Sequence, residues 1–270
     1  MKIVAGIINA AEAEYFSARA DELYFGVPQI ENHRKWYDWQ HIRNIRDVEK
    51  IIKIAHKNGK KIYLAANEMY RPESYGRLVK SVKQIAGLGV DGLIVRDVFL
   101  LDYFNKEGPP LDLVLSSTAV CFNSKSLDFF AQFNVSRAVI PQHLPPEECK
   151  HVLAGNRRLK YEIFYFPDCF CPNIDGICPY HDINKVKNPR NCNFSFKING
   201  KTCRMEKPSG SARRGMIYDF YKLKVDYIKM ARDGGFKEKK AVFGNIKRML
   251  ELLEGDISRG EFVLKTGDIM

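Results

Sequence analysis

No stretch of the chain runs to about 18 consecutive apolar residues, so the sequence offers no membrane-spanning helix. The opening MKIVAGIINAAEAEYF is only briefly apolar, lacks a convincing cleavage site and soon meets Glu12 and Glu14. That pattern fits a first strand entering a helix better than a signal peptide, and the expectation is a cytoplasmic protein, where structural disulfides are rare. A G-x-G-x-x-G loop is missing behind the first strand, which argues against an open dinucleotide-binding sheet. H-E-x-x-H and the serine-hydrolase elbow are also missing, leaving a conventional peptidase mechanism without sequence support. So is any arginine-rich tail or recognised nucleic-acid module.

What the chain does have is a rhythm. Short β-rich runs occur at Lys2–Ile7, Glu22–Gly26, Lys61–Ala66, Gly92–Arg96, Leu111–Leu115, Arg137–Ile140, Tyr161–Phe166 and Tyr227–Met230. Several are continuously apolar, as strands covered on both faces must be. Helical periodicity separates them: Val48, Ile51, Ile52 and Ala55 before Gly59; Leu78, Val79, Val82, Ile85 and Ala86 before Gly87 and Gly89; Leu127, Phe129, Phe130 and Phe133; and Phe243, Ile246, Met249, Leu250 and Leu253. Eight strands alternating with helices in 270 residues predict a single-domain α/β protein, a TIM-like (β/α)8-type barrel. Residues 167–213 break the rhythm and read as one long cysteine-rich loop after the seventh strand.

Five of the seven cysteines fall in that segment, as Cys169-x-Cys171-x6-Cys178-x13-Cys192-x10-Cys203, while Cys121 and Cys149 stand apart. In a reducing compartment such a cluster points to metal rather than disulfides. Structural zinc sites use two close pairs of ligands, which this spacing lacks, and the C-x2-C-x2-C ferredoxin run is absent too. The spacing favours an iron–sulfur centre over zinc, with inert thiols as the third alternative. The net charge of +11 is concentrated late: residues 151–270 hold 23 Lys+Arg against 14 Asp+Glu, and residues 185–214 hold nine basic residues against Glu206 alone. Lys185, Lys187, Arg190, Lys197, Lys201, Arg204 and Lys207 form either a solvated loop or a surface for RNA or a small anion.

The segments ADELYFGV (20–27), KIYLAAN (61–67), VDGLIVRDVFLL (90–101), LSSTAVCFNSKSLDFF (115–130), RAVIPQHLPPEE (137–148), YEIFYFPDCFC (161–171), DGIC (175–178) and NCNFSFKINGKTCR (191–204) follow one another in a characteristic order. Together they resemble peptidase family U32, the collagenase-like proteins, which also holds ubiquinone-hydroxylation proteins and RNA-hydroxylating proteins. The resemblance runs from about residue 18 to residue 232. It implies a barrel carrying a 4Fe-4S cluster on Cys171, Cys178, Cys192 and Cys203, with Cys169 as an extra thiol able to substitute. The sequence departs from the family pattern at Phe166-Pro167, where the family has His-Gly, and at Gln142-His143, where it has Arg-Glu. It departs again at Lys229-Met230-Ala231-Arg232, a reduced form of Lys-x-Glu-Gly-Arg.

Barrel enzymes place their chemistry at the C-terminal strand ends. That rule nominates Asn67, Glu68, Arg96, Asp97, Ser117, Thr118, Gln142, His143, Asp168, Lys229 and Arg232. Arg96 and Arg232 suit carboxylate or phosphate clamps because a guanidinium binds such groups bidentately. His143 could serve as a general acid or base, and Asp97 before VFLL reads as a helix N-cap. Three functions follow: oxygen-independent hydroxylation or related redox chemistry on RNA or a small aromatic molecule, peptide hydrolysis, or a non-catalytic iron–sulfur subunit that orients a family-related protein partner.

Overall fold

The computed structural model describes residues 1–33, 38–155, 158–165, 195–204 and 208–269. Eight parallel strands close into a barrel: β1 (Lys2–Gly6), β2 (Glu22–Phe25), β3 (Lys61–Ala66), β4 (Gly92–Val95), β5 (Asp112–Leu115), β6 (Val135–Val139), β7 (Lys160–Phe164) and, after a hairpin, β10 (Tyr227–Met230). Strand β10 closes the ring against β1, with Lys2 opposite Tyr227 and Ala5 opposite Met230. All eight expected strands are present, within two residues at each end. Among the described residues no helix is long and apolar enough to cross a membrane.

Helices α1 (Ala10–Ser17), α2 (Ile45–Lys57), α3 (Tyr75–Ala86), α4 (Val98–Lys106), α5 (Ser124–Ala131), α6 (Pro146–Gly155), α7 (Gly210–Lys222), α8 (Phe236–Glu254) and α9 (Arg259–Lys265) cover the outside. Val48, Ile51, Ile52 and Ala55 of α2 are buried as their spacing requires, and Gly59 ends that helix with φ +67°. The α8 stripe from Phe243 to Leu253 is likewise buried. On α5 the expected stripe is only partly right. Leu127 is buried, but Phe129 is exposed and Phe133 falls beyond the helix end. The outer core lies between strands and helices, whereas Val4, Tyr24, Tyr63, Ile94, Val114, Val139 and Tyr227 fill the lumen.

Residues 167–213 are not one loop throughout. Ser195–Ile198 (β8) and Lys201–Arg204 (β9) pair as an antiparallel hairpin, and α7 begins at Gly210. The hairpin turns on Asn199 and Gly200, both at positive φ (50° and 77°), as a two-residue turn matched to strand twist requires. Cys169, Cys171, Cys178, Cys192 and Asp168 lie outside the described residues.

Candidate active site at the C-terminal mouth of the barrel

Inward-facing strand positions carry charge as well as bulk. Glu22 on β2, Arg137 on β6, Glu162 on β7 and Lys229 on β10 are all buried in the lumen. Arg137 donates through Nη1 to Glu162 Oε2 at 2.7 Å and through Nη2 to Glu22. Its guanidinium lies 3.8 Å from the centre of the Tyr227 ring. Lys229 Nζ donates to Glu162 Oε1 at 2.7 Å and sits 4.1 Å from the centre of the Tyr24 ring. Two acids and two bases therefore neutralise each other within the barrel, with three tyrosines around them.

Such a network stands only if each charge is answered, because buried ions lose their hydration. Burial works to raise the Glu162 carboxyl, but Lys229 and Arg137 overcome it and hold the group below the ordinary carboxylate value. Burial lowers Lys229, with Arg137 and Arg232 adding like-charge repulsion and Glu162 pulling the other way. The two directions have different main causes: paired cations hold Glu162 down, and burial holds Lys229 down. Burial pushes the Tyr227 hydroxyl up to about 12.

Above this network, Arg232 follows β10 and is buried. Its Nη1 donates to the Gln40 carbonyl at 3.1 Å and its Nη2 to Asn32 Oδ1 at 2.9 Å, and Asn32 Nδ2 lies 2.9 Å from His41 Nε2. Gly6 and Gly26 make room for it. A Cβ on Gly6 would stand 2.6 Å from Arg232 Cγ, and one on Gly26 would overlap the guanidinium. Arg232 thus ties β10 to the segment after β2.

On the opposite side of the mouth, Asn67 donates to Ser116 Oγ at 3.1 Å, and Ser116 Oγ is 2.9 Å from Thr118 Oγ1. Arg96, at the end of β4, has its Nη1 3.9 Å from Glu68 Oε1, both largely buried. Asp97 does cap α4, accepting from Leu100 N at 3.1 Å, and it also accepts from the Tyr75 hydroxyl at 3.0 Å. Ser117 starts a short turn that ends at Val120, held at φ 62° and ψ 43°, a left-handed conformation that strains a β-branched residue. Past β6, His143 is half-buried with its ring centre 6.2 Å from that of Phe122, and Gln142 beside it is half-buried too. In barrel order β4 and β10 face each other, with β6 between them. Arg96, His143 and Arg232 are therefore spread round the rim rather than gathered in one cluster. Glu22, Arg137, Glu162, Asn32 and His41 were not among the residues expected from sequence. The readable signal was an isolated charge inside an apolar strand, as in VSRAVI and KYEIF.

A barrel with a charged lumen and a polar rim is shared by many enzymes, so shape alone names no lineage. The model of Peptidase family U32 matches residues 9–236. The chain belongs to that family. The solved structure of a U32 peptidase superposes with a TM-score of 0.60 at 14% identity, covering 87% of this chain and 94% of that one. The tryptophan synthase alpha-subunit of Pyrococcus furiosus reaches 0.50 at 14% identity, over 98% and 95%. At such identities both establish the fold alone. Among curated relatives, tRNA hydroxylation protein P of Escherichia coli is 24% identical over 60% of this chain and 35% of its own length. tRNA hydroxylation protein P2 of Bacillus subtilis is 29% identical over 36% of this chain and 32% of its own. The matched stretch thus spans about a third of these curated relatives.

The segment bearing Cys169, Cys171, Cys178 and Cys192 departs from the C-terminal end of β7, the strand that supplies Glu162. Cys203 is a free, half-buried thiol on β9. Cys121 and Cys149 are free but buried in the outer core, where burial pushes both thiols up to about 12.

Proposed function

We propose that this U32 protein takes part in RNA hydroxylation at the C-terminal mouth of its barrel, with a 4Fe-4S cluster on Cys171, Cys178, Cys192 and Cys203. The observation that carries the reading is the match to tRNA hydroxylation proteins in Escherichia coli, Bacillus subtilis and Haemophilus influenzae. Two features of the chain support it. The cysteine segment follows β7 in the sequence, and a net charge of +11 favours a polyanionic substrate over a neutral one. When bound, the cluster supplies the redox chemistry that no amino-acid side chain performs.

The protein's own part is binding and orientation. Arg96, held against Glu68, presents a guanidinium to an anionic group of the substrate. Arg232 is a positioning residue that fixes the Asn32 segment over the lumen. His143 at the β6 end is placed to give or take a proton. A small aromatic substrate would use the same mouth without needing the surplus of lysine and arginine.

Peptide hydrolysis is the second reading, suggested by the description of the family, Peptidase family U32. Protein purified without oxygen decides between them. The expected preparation is brown, with about four irons and as much labile sulfide per chain, and cleaves no gelatin-derived peptide. Stoichiometric zinc without sulfide, or metal-independent peptide cleavage, would overturn the proposal.

A further inference from the structure

At the other end of the barrel, away from the mouth just described, a cavity of about 610 Å³ opens beneath the lumen. Its wall carries Lys2, Lys160, Lys222 and Lys224, with Asp226 as the one carboxylate among the described lining residues and Tyr221 and Tyr227 as its rings. The topology gathers them from three neighbouring segments. Lys2 opens β1 opposite Tyr227, Lys160 opens β7 two residues before Glu162, Lys222 ends α7 and Lys224 lies on the turn between α7 and β10. Lys2 shares a strand face with Val4, and Lys160 with Glu162, both of which point into the lumen. The two lysines therefore rim the lumen's lower opening.

The acids described at this end are already engaged. Asp112 accepts from Lys61 Nζ at 2.6 Å, Glu22 from Arg137, Asp21 Oδ2 from Ile3 N at 2.7 Å and Asp226 Oδ2 from Tyr161 N at 2.8 Å. Four exposed lysines thus line one concavity, with Lys222 Nζ 5.2 Å from the centre of the Tyr218 ring, and the single charge of Asp226 offsets only part of theirs. Behind its floor the Tyr227 ring is backed by the Arg137 guanidinium at 3.8 Å. Lys224 adds a second sign. It is held at φ 60°, a left-handed conformation that glycine or asparagine adopts with less strain, yet the residue there is a lysine lining the cavity.

We propose that this cavity binds backbone phosphates of RNA, as a docking site separate from the mouth where chemistry is placed. The identity of the polyanion rests on the RNA reading above. Lysines suit the role because an ammonium is a point charge that accepts a phosphate from many directions, fixing no base. Barrel strands of four to six residues are only roughly 13–20 Å long. A folded RNA can span both ends at once; a small anion cannot.

The test is fluorescence-anisotropy binding of total cellular tRNA to the whole protein across a salt series, for wild type, Lys222→Glu/Lys224→Glu and a control of equal charge change on α2, Lys50→Glu/Lys57→Glu. The expected result is weaker binding by at least tenfold in the cavity variant, and a log–log salt slope shallower by roughly 0.7 to 0.9 for each phosphate no longer neutralised. The control should change little, and thermal unfolding should show that both variants fold. Wild-type protein that binds tRNA while the cavity variant matches it, or matches the control, overturns this site and leaves the RNA reading standing. Wild-type protein that binds no tRNA overturns both.

Discussion

Glu162 is the residue on which the lumen turns, since it accepts from both Lys229 and Arg137. Glu162→Ala leaves Lys229 without its carboxylate and Arg137 with Glu22 alone, and should destabilise the barrel by about 3–5 kcal/mol, read from urea unfolding. Because its folded value lies below the ordinary 4.5, its contribution is fully present above that value and is lost as pH falls through the folded one. Glu162→Gln should therefore lose part of the wild-type fall in stability below about pH 4.5; an unchanged acid limb would remove Glu162 from the account. The proposed cluster divides the thiols. Cys171→Ala and Cys178→Ala should abolish iron binding, whereas Cys121→Ala and Cys149→Ala, in the outer core, should keep it while losing some stability. Iron content after anaerobic purification decides.

Among the elements, the strands were legible because a strand buried on both faces must be almost wholly apolar for several residues. The lumen charges were not, since an isolated Glu or Arg in a strand looks like an edge until the ring closes and supplies its partner from 25 to 115 residues away. The hairpin β8–β9 is legible in sequence, since Asn199-Gly200 between SFKI and KTCR is a strong turn signal even inside a cysteine-rich segment. On α5 three phenylalanines suggested a buried stripe, but so short a helix has one inward position, taken by Leu127. The seat of Arg232 could not be read from sequence, because Gly6 and Gly26 become a groove only when β1 and β2 lie side by side. Gly26→Ala should displace that side chain and destabilise the protein by about 1–3 kcal/mol. Gly244→Ala, in α8 with open space around it, should be neutral or stabilise by about 0.5–1 kcal/mol. Equal melting temperatures for the two variants would contradict this reading of the groove.

At the scale of the molecule, charge and topology divide the labour between two ends. The C-terminal mouth carries Arg96, His143 and Arg232 above a neutralised lumen, and the cysteine segment leaves from its β7 edge. The N-terminal end carries the lysine cavity. If RNA spans both, affinity should fall steeply with salt, and cluster-free Cys178→Ala protein should still bind it, since binding and redox chemistry reside in different parts. The most direct test of the proposed function is mass spectrometry of nucleosides from the tRNA of cells that lack this gene and are complemented with wild type or Cys178→Ala. A hydroxylated nucleoside should disappear with the gene, return with the wild type and stay absent with Cys178→Ala. An unaltered set of hydroxylated nucleosides in the cells without the gene would contradict it.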